Sequence, residues 1–242
     1  MTDAVTDAVT ETRAPAGGWR TAVVREVAHP TPRSVVLRLE VPDRVDHLPG
    51  QHYVIRLTAD DGYRAQRSYS LASPPGDPLL EFWIERLDEG EVSTFLADGV
   101  EPGDELDVRG PIGGWFVWDG AGPACGVAGG SGAVPLVSML RHARDVGRPD
   151  LLRLAVSARA LADLPYPDEL AAVGALIAVT REPYGERPAG RLTAAELAPL
   201  LVPDAPVFVC GSAAFAEGAS ELLMDVGVPA RQVRVERFGP SG

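Results

Sequence analysis
Four short segments of this 242-residue chain carry residue types and spacings that could do chemistry. In Arg67-Ser68-Tyr69-Ser70 a strand period of two places Arg67 and Tyr69 on one face. A planar guanidinium fork suits a pyrophosphate, and a phenol ring suits stacking on a flat heteroaromatic such as a flavin. Ser70 would reach the polar edge of the same ring. The tetrad also reads as an ordinary strand with an exposed Arg and a half-buried Tyr. Gly90-Glu91-Val92-Ser93-Thr94 offers backbone N–H groups and hydroxyls to a phosphate at the start of a short helix, or is simply an N-cap. Gly110-Pro111-Ile112-Gly113-Gly114-Trp115-Phe116 is a tight, Gly-rich loop ending a strand, or just a turn. Gly129-Gly130-Ser131-Gly132-Ala133-Val134-Pro135 lies between an apolar strand and an amphipathic helix, where glycines let a dinucleotide pyrophosphate approach a helix N-terminus. It has Pro135 where G-x-G-x-x-G has its third glycine.

These segments need elements to hold them. The first half predicts short strands over residues 20–27, 34–41, 53–57, 67–72, 79–87 and 105–109, with a short helix over 92–96, which suggests a small antiparallel barrel. From residue 124 the pattern alternates. Strands are expected at 125–128, 152–157, 175–180, 206–210 and 232–236, and helices at 133–144, 167–172, 194–200 and 213–226. Such alternation indicates a parallel sheet wrapped by helices. Gly and Pro place the junction at 119–123. The expected organisation is therefore a disordered tail over 1–18, a barrel domain over 19–119 and an α/β domain over 120–242.

Composition limits the function. With 22 basic and 34 acidic residues the formal net charge is −12, which repels nucleic acid and anionic membranes. Every basic side chain is Arg, so a phosphate-loop or Schiff-base Lys is excluded. Cys125 and Cys210 cannot build a four-thiolate cluster, and two reduced thiols in a cytoplasmic protein are expected. His29, His47, His52 and His142 are scattered without metal-ligand spacing. The acidic N-terminus lacks the basic and apolar regions of a signal peptide. Residues 120–140 carry no charge, but their Gly, Ala and Pro content fits a loop between strand and helix better than a membrane span.

Taken in order, R-x-Y-S, G-x-x-S, G-P-x-G-x-F-like, G-G-S-G-x-x-P, C-G and a terminal E-R-F-G resemble the ferredoxin–NADP reductase superfamily, and within it the short bacterial reductases without an iron–sulfur domain. The resemblance runs from about Trp19 to Gly239. It implies a six-stranded antiparallel β-barrel holding FAD and a C-terminal parallel α/β domain holding NAD(P)H. On that template Arg67, Ser68, Tyr69 and Ser70 contact the flavin and its pyrophosphate, with Glu85 and Arg86 on the following strand and Gly90, Val92 and Ser93 around the diphosphate. Gly130, Ser131, Gly132 and Pro135 face the nicotinamide nucleotide. Cys210 and Gly211 close over the nicotinamide, with Tyr69, Ser70 and Cys210 nearest the reaction, and Phe238 approaches the flavin. The usual C-G-P is C-G-S here, with Ser212.

Ser157 and Arg159 after the second strand of the α/β half, and Arg181 after the third, suit the 2′-phosphate of NADPH, with Arg187 and Arg191 close enough in sequence to assist. NADH remains the alternative donor, and FMN the alternative flavin. The implied activity is electron transfer from NADPH through flavin to a separate acceptor, a ferredoxin or similar small redox protein. Arg20, Arg25, Arg33 or Arg64 would supply a basic docking face. A flavin or ferric-chelate reductase acting on small molecules, and a non-enzymatic two-domain binding module, are the competing readings.

Overall fold
In the computed structural model, which describes residues 18–238, two sheets of opposite character are built in chain order. The first contains β1 (Trp19–Thr31), β2 (Ser34–Glu40), β3 (His52–Thr58), β4 (Arg64–Ser70), β5 (Leu80–Glu85) and β6 (Glu105–Ile112). Its strands run antiparallel in the order β4-β3-β6-β1-β2-β5. Alternation explains the inner face, because Val35, Leu37 and Leu39 of β2 stack beside Ala22, Val24, Ile55, Phe82 and Ile84 in one core. Beyond the end of β4, a bridge between Leu71 and Phe82 links that edge to β5, backed by the Ala72 N–H donating to the Glu81 carbonyl at 2.8 Å. Helix α1 (Glu91–Asp98) follows β5 and lies against both edge strands.

The second sheet contains β7 (Ala124–Gly129), β8 (Leu152–Ala158), β9 (Leu176–Val179), β10 (Val207–Ser212) and β11 (Val233–Phe238), all parallel, in the order β11-β10-β7-β8-β9. Helices α2 (Ala133–Asp145) and α3 (Pro167–Ala172) cover one face, around Leu136, Leu140 and Phe208. Helices α4 (Ala194–Leu197) and α5 (Ala213–Asp225) cover the other, around Val127, Val209 and Leu223. The chain reverses its direction across the sheet between β7 and β10, which creates a switch-point crevice at the carboxyl ends of those strands.

Several expectations shift. Gly110, Pro111 and Ile112 continue β6 and are not a loop; Gly110 is required because a Cβ there would lie 2.5 Å from the Tyr53 ring. The turn starts at Gly113, where φ is +102°. The helix expected over 194–200 is α-helical only to Leu197 and then tightens into a 3-10 turn, because Pro199 has no N–H to continue the ladder. The uncharged run 120–140 resolves into a loop, β7, a glycine turn and half of α2. No helix among the described residues is long and apolar enough to cross a membrane. The expected tail, save Gly18, and Gly239 lie outside the described residues.

The two halves share a wall. Phe116 and Trp118, which precede the Gly/Pro junction, pack into the α2 core, with Phe116 edge-on to Phe208 at 5.2 Å. The Ser73 carbonyl is a joint: it accepts the Ser138 hydroxyl of α2 at 2.7 Å and pairs with His47 Nε2 at 2.9 Å. His47 is 1% exposed, and burial lowers its pKa to about 4. The folded protein therefore resists protonation that the unfolded chain accepts near pH 6.5. This stability is present above pH 6.5 and is lost as pH falls toward 4, up to about 3 kcal/mol at roughly 1.4 kcal/mol per pH unit. Urea titrations at pH 7 and pH 4.5 should show wild type losing more stability than His47→Gln. Equal losses would refute this account of His47.

Candidate functional site
The first candidate site is the gap between the edge strands. On β4, Ala65 and Tyr69 pack against the core with Arg67 between them in the period-two register, and Tyr69 stands directly opposite Tyr53 of β3. Burial raises the Tyr69 phenol pKa, so it stays neutral. Arg67 is exposed; its guanidinium donates to the Gln66 carbonyl at 2.7 Å and has no carboxylate partner among the described residues. Ser68 points to the opposite face and is exposed. Ser70 is 4% exposed, and its hydroxyl oxygen is buried without a hydrogen-bond partner. A buried, unpaired hydroxyl costs about 1–3 kcal/mol, a cost that a bound hydrogen-bonding partner at this position would relieve.

Beside it, the Gly90 loop enters α1. Gly90 has no room for a side chain, since a Cβ would lie 2.3 Å from Ser93 Oγ. The Ser93 hydroxyl donates to the Gly90 carbonyl at 3.1 Å and accepts the Leu87 N–H at 3.2 Å. Ser93 thus braces the loop, Val92 is buried, and what remains for an anion is the set of amides in the first turn of α1. Arg86 is paired with Asp98 at 2.9 Å and lies 3.7 Å from Asp88, so its charge is neutralised locally. Glu85 is half-buried at the end of β5.

The second candidate site is the switch-point crevice. Gly130 takes φ +56° with open space around it, as a backbone approached by a ligand requires. Gly132 is wedged: a Cβ there would fall 2.3 Å from the Cys210 carbonyl oxygen. Ser131 is half-exposed between them, whereas Pro135 is buried inside α2 and offers the crevice no surface. Cys210 has no solvent exposure and packs in the α2 core; burial, then the neighbouring Glu236, raises its thiol pKa well above normal. Burial likewise pushes Cys125 up to about 12. Neither thiol is poised as a nucleophile. After Gly211, Ser212 caps α5 by accepting the Phe215 N–H at 3.3 Å, which gives the departure from C-G-P a structural purpose. Phe238 ends β11 opposite Ser212 and packs on the α2 core.

Next to the crevice, the ends of β8 and β9 are tied by the Arg181 N–H donating to the Arg159 carbonyl at 3.0 Å. Both guanidinium groups are exposed and lack ion-pair partners among the described residues, and Ser157 lies buried just before them. Arg187 is not free to join them. Glu196 holds it at 2.7 Å, and its remaining donors go to the carbonyls of Pro188, Gly190 and Arg191. The suggested docking arginines are mostly committed too: Arg20 donates to the Pro42 and Asp43 carbonyls, Arg25 pairs with Glu40, and Arg33 with Asp88. Among the described residues no cluster of His, Cys, Asp or Glu could hold a metal ion.

Residues 22–117, which contain the Arg67–Ser70 strand and the Gly90 loop, match the family model described as the oxidoreductase FAD-binding domain. In sequence and in fold the chain is similar to reductases of the ferredoxin–NADP reductase type. The propane 2-monooxygenase reductase component of Gordonia sp. (strain TY-5) is 34% identical over 158 residues, 64% of this chain and 45% of the relative. The ferredoxin reductase component of 3-ketosteroid-9-alpha-monooxygenase from Mycobacterium tuberculosis (strain ATCC 25618 / H37Rv) is 31% identical over 210 residues, 81% of this chain and 56% of the relative. The chain thus spans about half the length of these curated relatives. In fold it is similar to a ferredoxin NADP+ reductase from Neisseria gonorrhoeae solved with FAD and NADP, with a TM-score of 0.77, 20% identity, and coverage of 90% of this chain and 98% of that one.

One ionisable group escaped the sequence reading. Glu236 neighbours Cys210 across β10 and β11, and burial raises its carboxyl from 4.5 to about 7. Nothing in the alternation of β11 marks it, because its desolvation comes from the packing of neighbouring elements. A carboxyl raised in the folded state stabilises the fold fully below its unfolded value, and that contribution is lost as pH rises through 7. Glu236→Gln should therefore gain stability relative to wild type between pH 5.5 and pH 8, measured by thermal midpoint at each pH. A constant difference across that range would show that the carboxyl is not raised.

Proposed function
We propose that this reductase-family chain takes electrons from NADPH, with NADH as the alternative donor, and passes them through FAD to a separate acceptor, a ferredoxin or similar iron–sulfur protein. Residues 19–119 would form the flavin half and 120–242 the nicotinamide half. The single observation that carries the reading is the buried, unpartnered Ser70 hydroxyl beside Tyr69, on a strand whose Arg67 guanidinium has no carboxylate partner among the described residues. Those three groups fit the polar ring edge, the ring face and the pyrophosphate of FAD. When bound, FAD supplies the chemistry of accepting a hydride and releasing electrons singly. The chain's own tasks are binding and exclusion: Arg67 and the α1 amides neutralise the pyrophosphate, Tyr69 covers the ring, and Ser70 hydrogen-bonds its polar edge.

On the nucleotide side, the Gly130–Gly132 turn and the start of α2 would hold the second pyrophosphate. Arg159 and Arg181, both without an ion-pair partner among the described residues, favour a donor carrying a 2′-phosphate. The ferredoxin-type acceptor is inferred from the names of the relatives, which are reductase components of oxygenase systems. Cytoplasmic residence is proposed with it.

The purified protein mixed with FAD should show flavin absorption bands that bleach anaerobically on adding NADPH, and more slowly with NADH. No FAD uptake, or bands that neither nucleotide bleaches, would remove the proposal. Arg67→Ala should raise the FAD dissociation constant about ten- to a hundredfold, corresponding to roughly 1.5–3 kcal/mol for a charge-assisted contact, with the fold intact by circular dichroism. Arg159→Ala and Arg181→Ala should each weaken NADPH about tenfold while leaving NADH unchanged; equal loss for both nucleotides would place these arginines elsewhere on the donor.

A further inference from the structure
Helix α2 begins at the glycine turn and then runs along the seam between the halves. Val134, Ser138 and Arg141 stand four and three residues apart, on one face. Val134 packs with Ala72 and Trp83. The Ser138 hydroxyl donates to the Ser73 carbonyl at 2.7 Å. Arg141 Nη1 donates to the Ala72 carbonyl at 3.2 Å and to Glu81 Oε1 at 2.8 Å. The acceptors at residues 72 and 73 lie two and three positions beyond Ser70, and Glu81 belongs to β5. Val134, in turn, is two positions beyond Gly132. The helix that starts at one candidate site is thus bolted to the strand end that forms the other.

Arg141 is the centre of this seam. Its other donors hold Glu169 of α3, Nη2 to Oε1 at 2.6 Å and Nε to Oε2 at 3.1 Å. Tyr166 reinforces the joint: its hydroxyl donates to the same Glu81 oxygen at 2.7 Å, its ring lies 4.6 Å from the Arg141 guanidinium, and it packs on Trp83 at 5.1 Å. Burial opposes the Arg141 charge, but the hydrogen bonds and charges of Glu169 and Glu81 outweigh it and hold the guanidinium protonated. A cavity of about 280 Å3, lined by Arg38, Asp77, Glu81, Arg141 and Arg144 among others, opens onto this network. Beside the apolar contacts of Val134 and Tyr166 with Trp83, a directional polar bridge therefore spans the seam at this point.

We propose that Arg141 is a positioning residue for hydride transfer, fixing the nucleotide held at the Gly130–Gly132 turn relative to the flavin held on β4. This rests on the cofactor reading given above. Reacting atoms must meet within about 3–3.5 Å, and a displacement near 1 Å costs on the order of a hundredfold in rate. Removing the bridge leaves each binding site intact but lets the halves shift against one another about the remaining seam contacts. When both are bound, the nicotinamide would give up a hydride with its electron pair and the flavin would accept it; the donors of Arg141 go to Ala72, Glu81 and Glu169, so its part is to position.

The test compares Arg141→Met, Arg141→Lys and Ser138→Ala with Arg144→Met, whose guanidinium pairs with Glu169 at 3.2 Å but does not cross the seam. In stopped flow with FAD-loaded protein and saturating NADPH, Arg141→Met should lower the limiting bleaching rate at least tenfold. Its NADPH and FAD dissociation constants should stay within about twofold of wild type. Arg141→Lys should recover part of the rate, and Ser138→Ala should fall in the same direction by less. If Arg141→Met does not fold, the Lys and Ala variants carry the comparison. Independently of turnover, hydrogen exchange of flavin-free protein should quicken at residues 71–73 and 134–141 in Arg141→Met but not in Arg144→Met. FAD-loaded Arg141→Met bleaching at the wild-type limiting rate, or Arg144→Met slowing as much, would overturn the inference. A wild type that holds FAD but is bleached by neither nucleotide would overturn both this and the proposed function, whereas normal wild-type bleaching with an unaffected Arg141→Met removes this inference alone.

Discussion

A single guanidinium held between two carboxylates sets the geometry on which the rest of the molecule depends. Arg141 joins Glu81 of the antiparallel sheet to Glu169 of the parallel half, with 20% of its side chain exposed and only 12% of that of Glu81. Charges this enclosed cannot be left unmatched, because removing one partner of a buried pair strands the other at a cost of several kcal/mol. Their stabilising value against an apolar pair is small. What they contribute is direction: a planar fork reaches both carboxylates only in a narrow range of helix positions.

That constraint explains why the two sheets can be so different and still present their open ends to one another. The antiparallel sheet ends β4 at Ser70, and the chain turns at once into the segment that receives Arg141 and Ser138. The parallel sheet ends β7 at Gly129, and the chain turns at once into the helix that supplies them. Each candidate site is therefore two or three residues from a seam contact, and strain at one has a short path to the other.

Much of this architecture was legible in the residues. Period-two runs such as Val35, Leu37 and Leu39 marked strands with one buried face, and the later β/α alternation marked a parallel sheet. Glycines at 130 and 132 marked a close backbone approach, and the structure gives each a distinct reason, open space at one and the Cys210 carbonyl at the other. The seam was not legible. Ser138 and Arg141 are ordinary polar positions on a helix, and only the folded chain brings them to residues some 60 to 70 positions earlier. The same limit applies to Arg187 and Ser93. Sequence proximity suggested anion binding for Arg187 and the G-x-x-S spacing suggested it for Ser93, whereas Glu196 and the Leu87–Gly90 loop claim them in three dimensions. Pro135 and Cys210 were placed by motif at a surface from which packing withdraws them.

The near-gap between β4 and β5 has a consequence beyond ligand binding. A strand edge with unused N–H and C=O groups is a template on which a second chain can add, and proteins guard such edges with charge. Here Arg64 and Arg67 are exposed on β4, and α1 lies across the opening. The arrangement that leaves Arg67 available to a pyrophosphate also makes the edge a poor partner for a neighbouring copy, since stacking two such strands would bring like charges together. The proposed pyrophosphate contact and the guard on this strand edge thus rest on the same side chain.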